Sequence, residues 1–363
     1  MRVGIVGCGV ISKVYFESGK RFEALEVVGC SDVDEVRAKE AAATHGVRAF
    51  GSTEALLADD EVELVVNLTP PLAHRDISLA VLGSGKHLYT EKPLGISRSE
   101  GSEIVGLAAR TGLGLGSAPD TFLGGGLQTC RRLVDDGAVG VPVAATAFLM
   151  GKGPEGWHPN PEFFFQRGAG PLFDVGPYYI TALVHLLGPV ARVVAYAKTA
   201  VAERVIGKGP RSGTRFAVEV PTHVTGLVEF AGGAVATLIT SFDVWASQLP
   251  RMEVYGTDGT LGVPNPNTFG GPVIVAERGV EGWREVPAEG PYVGQSRGIG
   301  AADLAAAVRT GRQPRAGGEL AYHVLDVMEA LLESAESGMW VSLDSTCSRP
   351  APLATGLADG EID

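Results

Sequence analysis

The stretch Tyr89-Thr90-Glu91-Lys92-Pro93-Leu94-Gly95 places a carboxylate, an amine and a proline directly after a predicted strand over residues 86–90. In open parallel sheets ligands bind beyond the carboxyl ends of the strands. An amine there would face a cofactor or a substrate, whereas an isolated surface Glu-Lys pair carries no chemistry. What decides between these readings is the company Lys92 keeps. Asp174 and Tyr178 supply a second carboxylate and a phenol at a four-residue spacing. On the helix expected from Asp174 through Leu187, that spacing puts both on one face.

The elements that would position Lys92 begin at the N-terminus. Val3-Gly4-Ile5-Val6 reads as a strand ending in Gly7-Cys8-Gly9-Val10-Ile11-Ser12, with a helical stretch following through Phe16. Strand, glycine turn and helix N-terminus together form a pyrophosphate cradle, with Gly7, Gly9, Val10 and Ile11 as its residues and Ser12 in place of the third glycine. A second strand ends at Asp32, about 20 residues on, where a carboxylate would bind ribose hydroxyls and repel a 2′-phosphate. NAD is therefore favoured over NADP, with Arg37 on the next helix working against that preference. Helices are expected over residues 33–45, 53–58, 73–84 and 99–111, and strands over 62–67, 86–90 and 113–116. This alternation implies a doubly wound parallel sheet, an α/β fold. Thr69-Pro70 follows its strand on the nicotinamide side, and His74 opens the next helix as a cap or a cofactor-side contact.

With these residues in hand, the chain resembles the glucose-fructose oxidoreductase, inositol dehydrogenase and rhizopine-catabolism (Gfo/Idh/MocA) family. The resemblance rests on the turn at 7–12, Thr69-Pro70, His74, Gly85-Lys86-His87, Glu91-Lys92-Pro93, Asp136-Gly137-Ala138-Val139-Gly140 and Gly168-Ala169-Gly170-Pro171-Leu172-Phe173-Asp174-Val175-Gly176. It implies a Rossmann domain followed by a domain with a large open, mainly antiparallel sheet. It further implies NAD(P)-linked oxidation or reduction of sugar and polyol hydroxyl and keto groups. Many members carry histidine where this chain has Tyr178, and an acid where it has Thr181. Tyrosine there is similar to the glucose-fructose oxidoreductase and dihydrodiol dehydrogenase branches. Histidine-based proton transfer is thus not carried over. The expected catalytic set is Lys92, Asp174 and Tyr178: Lys92 would hydrogen-bond the reacting oxygen and lower the pKa of Tyr178, which accepts the proton. Asp174 would orient Lys92 or bind an adjacent hydroxyl, and Lys92 as the proton acceptor is the alternative. Glu91 is a structural helper on the cofactor side, and the Lys92-Pro93 bond is a candidate cis peptide.

Two domains are expected, residues 1–120 for NAD binding and 121–363 for substrate binding and oligomerisation. Gly and Pro at 118–126 mark the crossover. After a helix over 127–136 and a strand over 141–150, the irregular segment Gly151–Glu162 mixes aromatic and polar groups. Trp157 and His158 suit a sugar, whose ring face stacks on an indole while its hydroxyls take hydrogen bonds. Strands are expected over 193–196, 222–230, 234–242, 252–256, 259–263 and 273–277, forming an open sheet. Helices near 299–310 and 319–337 would cover one face, so a homodimer or homotetramer through the other is expected. His185 and His323 sit in apolar runs and read as core, His223, Asp243 and Trp245 remain open between substrate and subunit contacts, and the tail after Ser342 reads as loose.

The composition restricts the partners. The net charge of −12 over 363 residues argues against a nucleic-acid backbone, and no apolar run approaches a bilayer span. Four cysteines show neither a CxxC pair nor a histidine-rich neighbourhood, which suggests no disulfide framework, no metal and a cytoplasmic protein. The expected partner is a small carbohydrate-like molecule. A dihydrodiol dehydrogenase, a keto-sugar reductase and a non-catalytic nucleotide sensor of the same fold are the alternatives.

Overall fold

The computed structural model describes residues 1–363 and forms two compact units, each assembled from separate stretches of chain. Met1–Gly125, Gly290–Tyr322 and Pro350–Asp363 make the first, Gly126–Glu289 and His323–Arg349 the second. The single boundary expected after residue 120 is replaced by a discontinuous division, because later segments pack back onto the first unit.

The first unit is built on β1 (Arg2–Val6), β2 (Glu26–Ser31), β3 (Arg48–Ala49), β4 (Leu64–Asn67), β5 (His87–Thr90) and β6 (Leu115–Ser117). They form one parallel sheet in the order β3-β2-β1-β4-β5-β6. The connecting helices are α1 (Ser12–Arg21), α2 (Glu35–His45), α3 (Thr53–Leu57), α4 (Pro71–Gly83) and α5 (Arg98–Thr111). Every residue of β4 is buried, as expected for a strand covered on both faces. Helix starts follow local side chains: Asp34 accepts from the amides of Val36 and Arg37, Ser52 from Ala55, and Ser97 from Glu100. Since Asp34 is the cap, α2 begins two residues later than the expected position 33. α1 runs to Arg21, a turn beyond its expected end at Phe16.

The tail is fixed rather than loose. On the first unit Arg315 Nη2 meets the Asp363 carboxylate at 2.6 Å, and Arg21 Nη2 meets Asp359 at 2.6 Å. Tyr292 donates its hydroxyl proton to the Glu361 carbonyl.

The second unit centres on a nine-stranded sheet with β7 (Pro142–Met150), β8 (Val190–Lys198), β11 (His223–Phe230), β12 (Val235–Ser241), β13 (Met252–Gly256), β14 (Gly259–Gly262), β15 (Val273–Glu277), β16 (Arg284–Val286) and β17 (Val341–Ser342). Their order is β16-β15-β14-β13-β7-β12-β11-β8-β17, all antiparallel pairs except β7 with β12. A separate ribbon pairs β9 (Glu203–Val205) with β10 (Arg215–Ala217). The helices are α6 (Gly125–Asp135), α7 (Gly170–Asp174), α8 (Gly176–Leu187), α9 (Ile299–Thr310, in the first unit) and α10 (Gly318–Ser337, in this unit from His323 onward). α8 is apolar all round and buried from Gly176 to Leu186, each fully enclosed leucine contributing roughly 1.5–3 kcal/mol. On one sheet face a Cβ at Gly226 would lie 3.0 Å from Leu331 of α10. The register places Tyr196, Thr225, Ile239 and Phe148 side by side on the other face, with Val194, Leu227, Thr237 and Thr146 as the next row.

Candidate functional site

In the first unit the expected cofactor residues gather at the carboxyl ends of β1, β2, β4 and β5. Those on β1 and β4 flank the point where the sheet order reverses direction, the usual ligand crevice of such folds. Gly7 has φ +97° and donates its amide to Ser31 O at 2.8 Å. A Cβ there would come within 2.9 Å of the Leu68 backbone, so only glycine fits this close strand approach. Gly9 opens onto free space, and Val10 beside it is 99% exposed. No side chain caps the first turn of α1, so its N-terminal partial positive charge faces the glycine turn unneutralised by an acid, which fits a dinucleotide pyrophosphate.

Asp32 stands at the end of β2 with its side chain 6% exposed. Its Oδ2 accepts from the Cys8 amide at 2.7 Å, joining the glycine turn to the second strand, while Oδ1 accepts from Asp34 N at 2.9 Å. Arg37 Nη1 lies 3.5 Å from the same Oδ1, on a half-exposed side chain. A carboxylate and a guanidinium thus share the end of β2, where the ribose contact was expected.

Thr69 is held through Asn67, whose Oδ1 accepts from both its amide and its hydroxyl, and Pro70 precedes the first turn of α4. His74 is buried, with Nδ1 2.7 Å from Pro93 O and Nε2 2.7 Å from Thr69 O. Both ring nitrogens are therefore engaged with backbone, and the side chain, expected as a cap or a cofactor-side contact, braces the loops after β4 and β5. Glu91 accepts from the Tyr15 hydroxyl at 2.8 Å and from the Lys92 amide at 3.1 Å. Burial first, and then Glu91, hold the Tyr15 pKa well above the usual phenol range, so Tyr15 remains a donor. The Lys92-Pro93 peptide is cis. Deeper in this unit lies Asp120, whose Oδ2 accepts from the amides of Gly298 and Gly300 at 2.8 and 3.0 Å, at the start of α9.

In the second unit Asp174 and Tyr178 do not share one helix. Asp174 ends α7, Val175 forms the junction with φ −117°, and Tyr178 lies in the first turn of α8. The expected single face is lost because Pro177 at the start of α8 has no amide to continue the hydrogen-bond ladder from α7. Tyr178 is buried, and Tyr179 points to Arg251 Nη1 at 3.5 Å. His185 is enclosed, and burial followed by the charges of Arg131 and Arg349 holds its pKa well below the ordinary value. His323 accepts from the Val190 amide at 2.9 Å. Both are structural.

The expected sugar platform is an aromatic group on the loop after β7. Trp157 and His158 hang from the turn Pro154–Gly156, their amides donating to Pro154 O at 3.1 and 2.8 Å. Trp157 is 59% exposed, and the His158 ring stands edge-on to it, to Phe163 and to Phe164. His158 Nδ1 accepts from the Asn160 amide at 3.1 Å, so in the neutral ring Nε2 carries the proton and is a donor.

Residues 1–117 match the family described as the oxidoreductase family with an NAD-binding Rossmann fold, and residues 127–262 match the GFO/IDH/MocA C-terminal domain. The chain belongs to the GFO/IDH/MocA oxidoreductase family. Among this oxidoreductase's curated relatives is D-xylose 1-dehydrogenase (NADP(+)) 2 from Haloferax volcanii, 30% identical and covering 94% of this chain and 98% of that protein. Another is 1,5-anhydro-D-fructose reductase from Ensifer adhaerens, 26% identical over 95% and 99% of the two chains. Among solved structures, apo levoglucosan dehydrogenase superposes with a TM-score of 0.82 at 23% identity, covering 96% of this chain and 99% of its own. At that identity the likeness speaks for the fold.

Three residues of this GFO/IDH/MocA oxidoreductase escaped attention as structural anchors in the sequence: Tyr15, Asp120 and Arg204. Tyr15 and Asp120 are separated from their partners by 76 and 178 positions, so no local pattern marks them. Arg204 is buried between the exposed Glu203 and Val205, the reverse of what the residue types in Glu-Arg-Val suggest, so no sequence pattern marks it. No helix of the chain is long and apolar enough to cross a membrane.

Proposed function

We propose that this oxidoreductase interconverts a hydroxyl and a keto group on a sugar, glycoside or polyol, with Lys92, Asp174 and Tyr178 as its catalytic residues. The observation that carries the reading is the gathering of the glycine turn, Asp32, Thr69-Pro70 and Lys92 at adjacent strand ends around the sheet's reversal point. The nicotinamide, when bound, supplies the hydride acceptor or donor. The residues do the rest. Lys92 hydrogen-bonds the reacting oxygen and its charge favours the phenolate of Tyr178, which takes the hydroxyl proton during oxidation and returns it during reduction. Asp174 orients Lys92 or binds the neighbouring hydroxyl. Trp157 and His158 receive the sugar, the indole against a ring face and Nε2–H toward a hydroxyl.

NAD is the preferred cofactor in this reading, supported by a carboxylate, Asp32, at the end of β2, which would accept from ribose hydroxyls and repel a 2′-phosphate. Arg37 favours a second cofactor reading in which NADP is also accepted, and a relative's name carries NADP(+). The enzyme also works as a homo-oligomer. Tyr196, at 63% exposure, and Leu227, at 40%, stand in two rows of aromatic, aliphatic and threonine side chains on the open sheet face, a surface suited to the same face of a second copy.

The test is nicotinamide absorbance across a panel of pentoses, hexoses, polyols and anhydro sugars, followed by pH-rate profiles of Lys92→Met and Tyr178→Phe. Turnover with at least one carbohydrate is expected, abolished in Lys92→Met and, in the oxidation direction, losing in Tyr178→Phe the fall in rate at low pH that protonation of the base produces. Tight NAD binding without turnover on any of them removes the enzymatic reading, and an unchanged profile in Tyr178→Phe removes the tyrosine from proton transfer.

A further inference from the structure

Arg204 lies on the short strand β9 and is 8% exposed. One arm of its guanidinium, Nη1, donates to Glu155 Oε1, and the other, Nη2, donates to Asp243 Oδ1. Both arms also donate to the Phe242 carbonyl at 3.3 Å. The guanidinium carbon sits 5.0 Å from the Phe165 ring centre, above a small core of Phe165, Ile206, Phe216 and Phe242. Three segments distant in sequence therefore meet on one planar cation: the turn Pro154–Gly156, the ribbon β9–β10, and the residues just after β12.

The two carboxylates are themselves placed. Asp243 Oδ2 accepts from the Thr222 hydroxyl at 2.6 Å, which fixes the Asp243 end to the start of β11. The Glu155 carbonyl accepts from the Gly207 amide at 2.8 Å, so Glu155 is tied to the ribbon through backbone as well as side chain. Gly153, at φ +85°, lets the chain bend beneath this pair; a Cβ there would lie 2.9 Å from Arg204 Nη1. Glu155 Oε2 and Arg204 Nε are buried without a hydrogen-bond partner, so the ion pair carries the charge compensation of this pocket.

We infer that Arg204, bridging Glu155 and Asp243, is the positioning residue that fixes the Trp157–His158 platform and so sets affinity for the sugar. The inference rests on the platform reading given above. Trp157 and His158 follow Glu155 by two and three residues and donate their amides to the turn that Glu155 occupies. Their geometry is therefore inherited from the latch. Removing the planar fork leaves two neighbouring part-buried carboxylates to a point charge or to none, and a lysine cannot reach both with the same directionality. The turn then samples several positions and the indole ceases to be a preorganised surface. Chemistry at Lys92 and Tyr178 does not depend on this, so the effect falls on KM.

The experiment uses the full chain labelled with 5-fluorotryptophan, the Trp157 resonance being assigned with Trp157→Phe. Arg204→Lys, which keeps the charge, and Glu155→Gln, which keeps the shape, are compared with wild type by fluorine NMR and by steady-state kinetics on the best carbohydrate found. The expected result in both is a shifted or broadened Trp157 signal, KM raised about tenfold, the value of one well-placed aromatic contact, and an unchanged kcat and cofactor Kd. An unmoved Trp157 signal overturns the latch, as does a moved signal with unchanged KM, or a fall in kcat alone. Trp157→Ala is measured alongside: an unchanged KM in that variant removes the platform reading itself, independently of what happens to the fluorine signal in Arg204→Lys.

Discussion

His74 and Pro93 meet through Nδ1 and a carbonyl oxygen at 2.7 Å, while the other ring nitrogen faces Thr69 O at the same distance. A neutral imidazole has one N–H and can donate to only one of them. Hydrogen bonding to two carbonyls favours the charged ring, burial disfavours it, and burial prevails, holding the pKa below its ordinary value. The brace between the loops after β4 and β5 is thus a histidine that burial favours in its neutral form.

Replacing it tests both halves of that statement. His74→Leu keeps the volume and leaves a buried carbonyl without its donor, so a loss of about 1–3 kcal/mol in denaturant stability is expected near neutrality. Because the folded-state pKa is depressed, the wild-type contribution is present above the unfolded value of about 6.5 and is lost as pH falls. The wild type should therefore weaken relative to the leucine variant on acidification; a gap independent of pH would show that the ring does not titrate with folding.

Asp120 has the opposite sign. Burial raises its pKa from 3.8 to about 6, against the lowering effect of the Gly298 and Gly300 amides. Its protonated form is the one the fold prefers, so its contribution is present below the unfolded value and lost as pH rises through about 6. Asp120→Asn keeps an acceptor without a charge. Between about pH 7 and about pH 5 the wild type should gain roughly 1 kcal/mol on this variant in urea titrations. Parallel stability curves for the two proteins would exclude a raised pKa.

Arg37 sets a prediction about cofactor choice. Its Nη1 lies 3.5 Å from Asp32 Oδ1, and its exposed side chain can turn toward a 2′-phosphate. Arg37→Ala should lower kcat/KM with NADP by about tenfold, the scale of one hydrogen bond to a charged group, and leave NAD within about twofold. Equal losses with the two cofactors would mean that Arg37 serves only to hold Asp32.

Leu227 reports on assembly. Leu227→Asp places a charge in the middle of the open sheet face without touching the buried side of β11. Light scattering coupled to gel filtration should then move from a multiple of the 37.7 kDa chain mass toward the single chain, with the far-UV circular dichroism unchanged. An unaltered particle mass would place the subunit contact elsewhere.

Much of this architecture was readable because parallel strands such as β1 and β4 are buried on both faces and appear as continuous apolar runs. Glu91-Lys92-Pro93 and the glycine turn were readable for a related reason: each directly follows such a run. β3, β9, β10, β16 and β17 are two or three residues long and too short to carry a period. The Asp174–Tyr178 spacing misled because Val175 separates two helices where the composition suggested one. Arg204 and Asp120 owe their places to partners far along the chain, and only folding brings those together.

The discontinuous first unit has a consequence for biosynthesis. On the ribosome its sheet-forming residues emerge first, yet the amides that satisfy Asp120 lie 178 and 180 positions downstream, and Asp359, the ion-pair partner of Arg21, comes later still. The nucleotide half therefore spends most of translation with an acidic group facing water in place of the start of α9. A nascent chain halted before residue 290 is therefore expected to be a poorer NAD binder than the full chain, even though every glycine of the turn has already been made.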